Sequence, residues 1–275
     1  MSKKAMIFAA GLGTRLKPLT DTMPKALVPV ADKPLLQILL DKLVRCGFND
    51  IVINVHHFAD MIEDWCAANK TLFPVVNIQF SDEREQLLET GGGVRHAALK
   101  LQDAAGQHFL IHNVDILSNV DLDAFWQAGE GSDATLLVSE RETQRYLIFD
   151  SNMRLVGWTN LKTGEVKSPY PEVHEAFNPD FTSPVNSITA RMQPIQFVPS
   201  EHRFSLLAFA GVHQMNTSML PLMQDYPDKF SIIDFYLQHC HDHVIRGYVQ
   251  PDLRLMDVGK IDTLDKAKDF LASIE

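Results

Sequence analysis

Short apolar runs alternate with stretches of helical periodicity through the first half of this chain, and that rhythm limits the fold more than any other feature. Residues 5–10 (AMIFAA) read as a buried strand. Residues 34–46 (PLLQILLDKLVRC) space their apolar side chains as a helix does, with Pro34 near the first turn and Gly47 past the end. Residues 51–55 read as a strand, 58–68 as a helix and 75–80 as a strand. A glycine triplet then precedes a helix expected over 94–101, and 109–113 form another strand. Strands separated by helices at this interval predict βαβ units: an α/β fold with a mixed, mainly parallel sheet and helices on both faces. In open sheets of this kind ligands sit beyond the carboxyl ends of the strands. The segments after residues 10, 80 and 113 fall there.

The first of those segments carries the most chemistry. Gly11 and Gly13 interrupt the apolar run, allow backbone angles closed to other residues, and let N–H groups approach a ligand with no Cβ in the way. Arg15, Lys17 and Lys25 add positive charge, and Pro18, Pro24 and Pro29 stiffen the stretch. Backbone donors, cations and little entropy to lose are what a triphosphate site needs. The spacing lacks the third glycine of the dinucleotide fingerprint and the Gly-Lys-Thr/Ser of the P-loop.

The whole pattern is Gly11-x-Gly13-Thr14-Arg15-x-x-Pro18-x-Thr20-x-x-x-Pro24-Lys25-x-x-x-Pro29. It resembles the signature of the sugar-1-phosphate nucleotidylyltransferases, which make NDP-sugars, with every position filled. The resemblance implies a Rossmann-like fold of the nucleotide-diphospho-sugar transferase type, with catalytic roles for Arg15 and Lys25. Ala10, Gly11, Gly13 and Thr14 would then contact the nucleotide. The run Leu88-Glu89-Thr90-Gly91-Gly92-Gly93 is similar to that of small N-acetylmuramate-1-phosphate uridylyltransferases, and assigns Glu89, Gly91 and Gly92 to the base and ribose. Mannose-type guanylyltransferases are similar as well, so UTP and GTP both stay open as the nucleotide.

Two acidic residues are expected to hold Mg²⁺. Asn113-Val114-Asp115 resembles the family's Asn-Gly-Asp, with Val114 in the glycine's place, and Asp257 in Asp257-Val258-Gly259 resembles its late carboxylate, before a helix over 261–274. Mg²⁺ prefers few carboxylates together with phosphate oxygens and water. Asn113 and Gly211, the latter in a strand over 204–215, are the substrate-side residues that the resemblance implies. The family's lysine in a Glu-Lys-Pro motif is absent; Lys162 and Lys167 are candidates for its charge.

Other constellations have plainer explanations. Asp121 and Asp123 have the Asp-x-Asp form of a glycosyltransferase metal site, but Asp121 is better read as the cap of a helix over 122–128. His239, His241 and His243 look like a metal cluster, yet helical spacing turns 241 away from the other two. His56 and His57 end the second strand with no mechanism attached. Residues 159–203 are rich in polar residues and prolines (Pro169, Pro171, Pro179, Pro184 and Pro194 among them) and read as a long insertion or loop.

At 275 residues the chain is expected to form one domain over 1–275, with a nucleotide-binding half (1–130) and a sugar-phosphate half (131–275). Its net charge of -10 argues against nucleic-acid or anionic-membrane binding. Cys46, Cys66 and Cys240 are scattered, as in reduced cytoplasmic proteins. Only six apolar residues precede Gly11, so neither a signal peptide nor a membrane span is expected. Three rivals remain on sequence grounds: a metal-dependent glycosyltransferase, a phosphocholine-type cytidylyltransferase, and a non-catalytic nucleotide-sensing paralogue.

Overall fold

Strand β1 (Lys3–Phe8) lies between two parallel neighbours in a ten-stranded sheet, in a computed structural model that describes residues 3–104, 108–177 and 203–274. Being covered on both faces, its 5–8 part reads as an unbroken apolar run behind two leading lysines. Tight turns at Thr14–Leu16, Leu19–Asp21 and Lys25–Leu27 follow, then a small ribbon of β2 (Pro29–Val30) and β3 (Lys33–Pro34). Helix α1 (Leu35–Arg45) buries Leu35, Leu36, Leu39, Leu40 and Leu43, and Gly47 takes φ +79° after it, as a helix end requires.

The alternation continues through β4 (Phe48–Val55), α2 (Ala59–Ala68), β5 (Asn77–Asp82), α3 (Glu89–His96), α4 (Ala98–Leu101) and β6 (His108–Asn113). Strands β5, β4, β1 and β6 pair in parallel in that order. Successive residues of these strands face opposite layers: Ala5 and Ile7 join the core under α1 and α2, while Met6 joins the core on the other side with Val94 of α3. Helices therefore cover both faces.

The second half adds β7 (Ile116–Ser118), α5 (Leu122–Ala128), β8 (Ala134–Ser139), β9 (Arg145–Asp150), β10 (Leu155–Asn160), β11 (Glu165–Lys167) and α6 (Pro171–Phe177). Then come β12 (Phe204–Asn216), α7 (Ile232–His239), β13 (Ile245–Val249), β14 (Leu255–Asp257) and α8 (Ile261–Ile274). The long β12 runs antiparallel to β6, β8 and β9, and so joins the parallel part to the β9–β10–β11 meander. Strand β14 pairs with β7 as a separate antiparallel ribbon.

Two expectations need correction. The glycine triplet is not a loop ahead of a helix: Gly91, Gly92 and Gly93 lie inside α3, all buried. They are there because neighbouring groups leave no room for a Cβ: the Phe230 ring at Gly91, the Asp228 carbonyl at Gly92 and the Glu83 carboxylate at Gly93. The stretch from 159 is not a bare loop either, since it completes β10 and contains β11 and α6. Residues 178–202 of that stretch lie outside the described residues. The Asp121 reading agrees with the structure: its carboxylate accepts from the N–H groups of Asp123 and Ala124 and caps α5, while Asp123 pairs with Lys3.

Beneath the sheet's carboxyl end two histidines are fully buried on adjacent strands, His112 on β6 and His213 on β12. Desolvation pulls their pKa values down from 6.5, to about 4 for His112 and about 3 for His213. His213 Nδ1 lies 2.6 Å from the Tyr236 hydroxyl, and among the described residues no acid is placed to stabilise its imidazolium. As pH falls below 6.5 the unfolded chain takes up these protons first, so stability declines from there toward pH 4. The expected fall in Tm between pH 6.5 and 4.5 is roughly ten degrees, and calorimetry should find it smaller in His213→Gln.

Candidate active site

The loop leaving β1 is tied down at both ends. Asn54, opposite Phe8 at the end of β4, accepts from Ala9 N–H at 2.7 Å and Ala10 N–H at 3.2 Å. Gly13 sits at φ +63°, and its carbonyl accepts from the Thr20 hydroxyl at 2.8 Å and from Leu16 N–H at 2.8 Å. A Cβ on Gly13 would lie 2.8 Å from Thr20 Cγ2. The buried Leu16 anchors the turn that carries Thr14 and Arg15, and Pro24 leads into the turn that carries Lys25. Motif residues without obvious chemistry thus shape the loop that presents the cations.

Asp115 and Asp257 come from distant parts of the chain and meet through the β7–β14 ribbon. Asp257 is opposite Ile116, and Val258 N–H donates to Asp115 O at 2.8 Å. Lys25 forms an ion pair with Asp115 in which both side chains are largely buried. Arg15 Nη2 lies 3.8 Å from Asp257 Oδ2, in a more open setting. Gly259 has no Cβ because one would lie 2.6 Å from Asp257 Oδ1 and 2.7 Å from Arg15 Nη2. Burial raises the Asp257 pKa, and the charge of Asp115 raises it further, while Lys25 and Arg15 pull it down. Two acids and two cations therefore share one small volume.

A cavity of about 260 Å³ opens beside this group at the carboxyl ends of β1, β4, β5 and β6. One wall is Ala9, Ala10 and Gly11, another is Leu87, Glu89 and Thr90, and Lys25, Asn113 and Asp115 close it. Gly211, at φ +76°, packs behind Asn113, where a Cβ would lie 2.9 Å from the amide nitrogen. Glu89 reaches the cavity from a left-handed backbone (φ +61°), and its carboxylate is 3.7 Å from Lys229. Gly91 and Gly92 do not line the cavity; their N–H groups donate to Phe230 O at 2.9 and 3.3 Å. Lys167 pairs with Asp234 at 2.9 Å and lies over Trp158, and Lys162 is exposed in the β10–β11 turn; neither lines the cavity.

Two site residues are invisible to motif reading, Asn54 and Glu83. Their one signal in the sequence is a polar side chain at the end of an otherwise apolar strand (Ile51-Val-Ile-Asn54-Val) and an acid just after the next. His56 belongs with them, its Nδ1 2.6 Å from Glu83 O. Among the described residues no group of three or more His, Cys, Asp or Glu is placed to hold a metal ion, and the His239–His243 stretch is no exception.

A sheet whose loops gather cations and paired carboxylates around a cleft beyond its strand ends defines an open α/β fold with its site at the carboxyl edge. Residues 4–146 match the family described as Nucleotidyl transferase, and the chain belongs to that family. Over 134 residues it is 43% identical to N-acetylmuramate alpha-1-phosphate uridylyltransferase of Caulobacter vibrioides, covering 48% of this chain and 51% of that protein. Over 142 residues it is 34% identical to mannose-1-phosphate guanyltransferase of Gibberella zeae, covering 50% of this chain and 38% of that protein. The chain thus spans about half the length, or less, of the curated relatives it matches. In fold it is similar to the crystal structure of HddC from Yersinia pseudotuberculosis complexed with GMP-PN, at TM-score 0.66 and 21% identity, over 98% of this chain and 99% of that one.

Proposed function

We propose that this chain transfers a nucleotidyl group from UTP or GTP to a sugar 1-phosphate, forming an NDP-sugar and pyrophosphate. The meeting of Lys25, Arg15, Asp115 and Asp257, of which Lys25 and Asp115 line the cavity, carries this reading. The names of the two relatives supply the nucleotide and sugar classes. A sugar 1-phosphate is already an anionic nucleophile, so no general base is required. Its phosphate oxygen attacks the α-phosphorus while the bond to pyrophosphate breaks, and the electron pair leaves on the pyrophosphate oxygen. The barrier lies in bringing polyanions together, and positioned cations lower it. Lys25 serves as a point charge between the α-phosphate and the incoming phosphate. Arg15, nearer solvent, grips the outer phosphates with its planar guanidinium. The cavity holds the nucleoside against Ala10, Gly11 and Glu89, and Asn113, backed by Gly211, faces the acceptor.

The donor set fits Mg²⁺. Two adjoining carboxylates, one with its pKa raised by the other, form a negative centre that a divalent cation relieves, and a site with few protein ligands leaves room for phosphate oxygens and water. Bound by Asp115 and Asp257, the ion would neutralise charge on the triphosphate oxygens. Residues 1–130 act in this reading as the nucleotide half and 131–275 as the acceptor half of one domain. A cytoplasmic setting, where NTPs are abundant, suits the free thiols of Cys46, Cys66 and Cys240. Among the described residues no helix is long and apolar enough to cross a membrane.

The rivals have less support. Asp121 and Asp123 are engaged in capping and in pairing with Lys3, which gives a glycosyltransferase metal site no support. A nucleotide sensor has no need to keep both cations and both acids. The deciding experiment is a matrix of the four NTPs against sugar 1-phosphates and phosphocholine, with Mg²⁺, scored by pyrophosphate release. Release with UTP or GTP and a sugar 1-phosphate is the expected outcome; release only with CTP and phosphocholine, or none at all, overturns the assignment.

A further inference from the structure

Asn54 and Glu83 form a largely buried polar unit in the lining of the cavity that the reaction chemistry leaves unassigned; they are 3% and 2% exposed. Ladder pairing of β1 ends at Phe8, so Ala9 and Ala10 have no strand partner for their N–H groups, and Asn54 Oδ1 accepts both. Asn54 Nδ2 donates to Glu83 Oε1 at 2.8 Å. Glu83 Oε2 in turn accepts from Leu88 N–H at 3.2 Å, across the segment after β5. The Glu83 backbone is fixed as well, its N–H donating to Val55 O at 2.8 Å and its carbonyl oxygen lying 2.6 Å from His56 Nδ1. Helix α3 closes over the pair at Gly93, where a Cβ would lie 2.8 Å from Glu83 Oε1 and 3.2 Å from Asn54 Nδ2. One amide and one carboxylate thus connect the wall at residues 9–11 to the wall at residues 87–90.

We infer that Asn54 and Glu83 are positioning residues that set the gap between these two walls, and with it the affinity for the nucleoside triphosphate. The inference rests on the nucleotidyl-transfer reading above and deepens it. Buried polar networks are rigid when every member is satisfied, and one lost partner leaves a desolvated donor or acceptor without a mate. With the carboxyl groups ionised, the donor–acceptor pattern here has one other complete solution. Aspartate at 54 can accept from Ala9, Ala10 and a glutamine amide at 83, while the glutamine oxygen accepts from Leu88. Each half of that swap fails alone at a pH where both acids are ionised: Asn54→Asp sets two carboxylates against each other, and Glu83→Gln sets an amide NH₂ against a donor.

The test compares wild type, N54D, E83Q and the N54D/E83Q double variant, with Tm, KM and kcat for UTP and for GTP, and KM for the sugar 1-phosphate. Each single variant is expected to raise KM for the nucleotide roughly tenfold or more. Its kcat at saturating nucleotide and its KM for the sugar phosphate are expected to stay within about twofold of wild type. The double variant is expected to recover KM with the same UTP-to-GTP preference. A double variant that regains wild-type Tm but not KM, or that changes the base preferred, overturns the inference, because the pair would then touch the base directly. Single variants with wild-type KM overturn it as well. If wild type releases no pyrophosphate, the transfer reading falls by itself; dissociation constants of UTP and GTP for the same four proteins then decide the inference by the same pattern.

Discussion

Lys25→Ala is expected to slow pyrophosphate release by roughly 10²–10³-fold while leaving a folded protein. The lysine touches Asp115 within a pair that is largely shielded from water, so its charge acts at close range and is screened little. Removing it has a second consequence. Lys25 is the largest influence that lowers the Asp257 pKa, against burial and Asp115, which raise it. Without Lys25 that pKa rises further, so the carboxylate that would hold Mg²⁺ under the proposed function is lost at a higher pH. The acid limb of the kcat/KM profile is therefore expected to move upward in the variant. Under the proposed role of Lys25, Lys25→Arg should recover only part of the rate, since a planar fork does not replace a compact ammonium between two phosphates. Full activity in Lys25→Ala across the pH range would remove this residue from the mechanism.

Gly92→Ala is expected to destabilise the fold by roughly 3 kcal/mol, near the upper end for overpacking in a core. The new methyl would collide with the Asp228 carbonyl oxygen, a backbone atom that cannot rotate away, and would press on Leu88 Cβ at 3.0 Å. Denaturant unfolding reads the cost. If the glycine instead serves to let a base lie flat against the backbone, stability stays near wild type and only the nucleotide KM rises. The two roles are thus separated by which quantity moves.

The glycine run shows why part of this site could not be read from the chain. Three consecutive glycines normally signal a loop, because glycine costs about 1 kcal/mol per residue in a helix relative to alanine. Here the contacts of α3 with Phe230, Asp228 and Glu83 override that preference, and all of these partners except Glu83 lie more than a hundred residues away. The paired strands from Ala134 to Asn160 were hard to foresee for a related reason: their register is set by β12, which arrives from the far side of a long intervening segment. By contrast α1, α5 and α8 were legible. Their apolar spacing, a capping aspartate at 121 and a helix-ending glycine at 47 are local signals that the tertiary structure left in place.

The existence of β1, β4, β5 and β6 as strands between helices and the cationic loop after β1 follow from local sequence, since apolar strand runs, helical stripes and a proline-braced glycine turn are all written in near neighbours. Asp115 and Asp257 each sit in a short motif that can be read locally, but their meeting carries no such local signature. Asp115 and Asp257 stand 142 positions apart (257 minus 115), and only the β7–β14 ribbon brings them within reach of Lys25 and Arg15. Asn54 and Glu83 join for the same reason, through the parallel pairing of β4 with β5. A side chain's identity is written in the chain, but the field it feels comes from neighbours supplied by strands whose pairing is settled across the whole sheet.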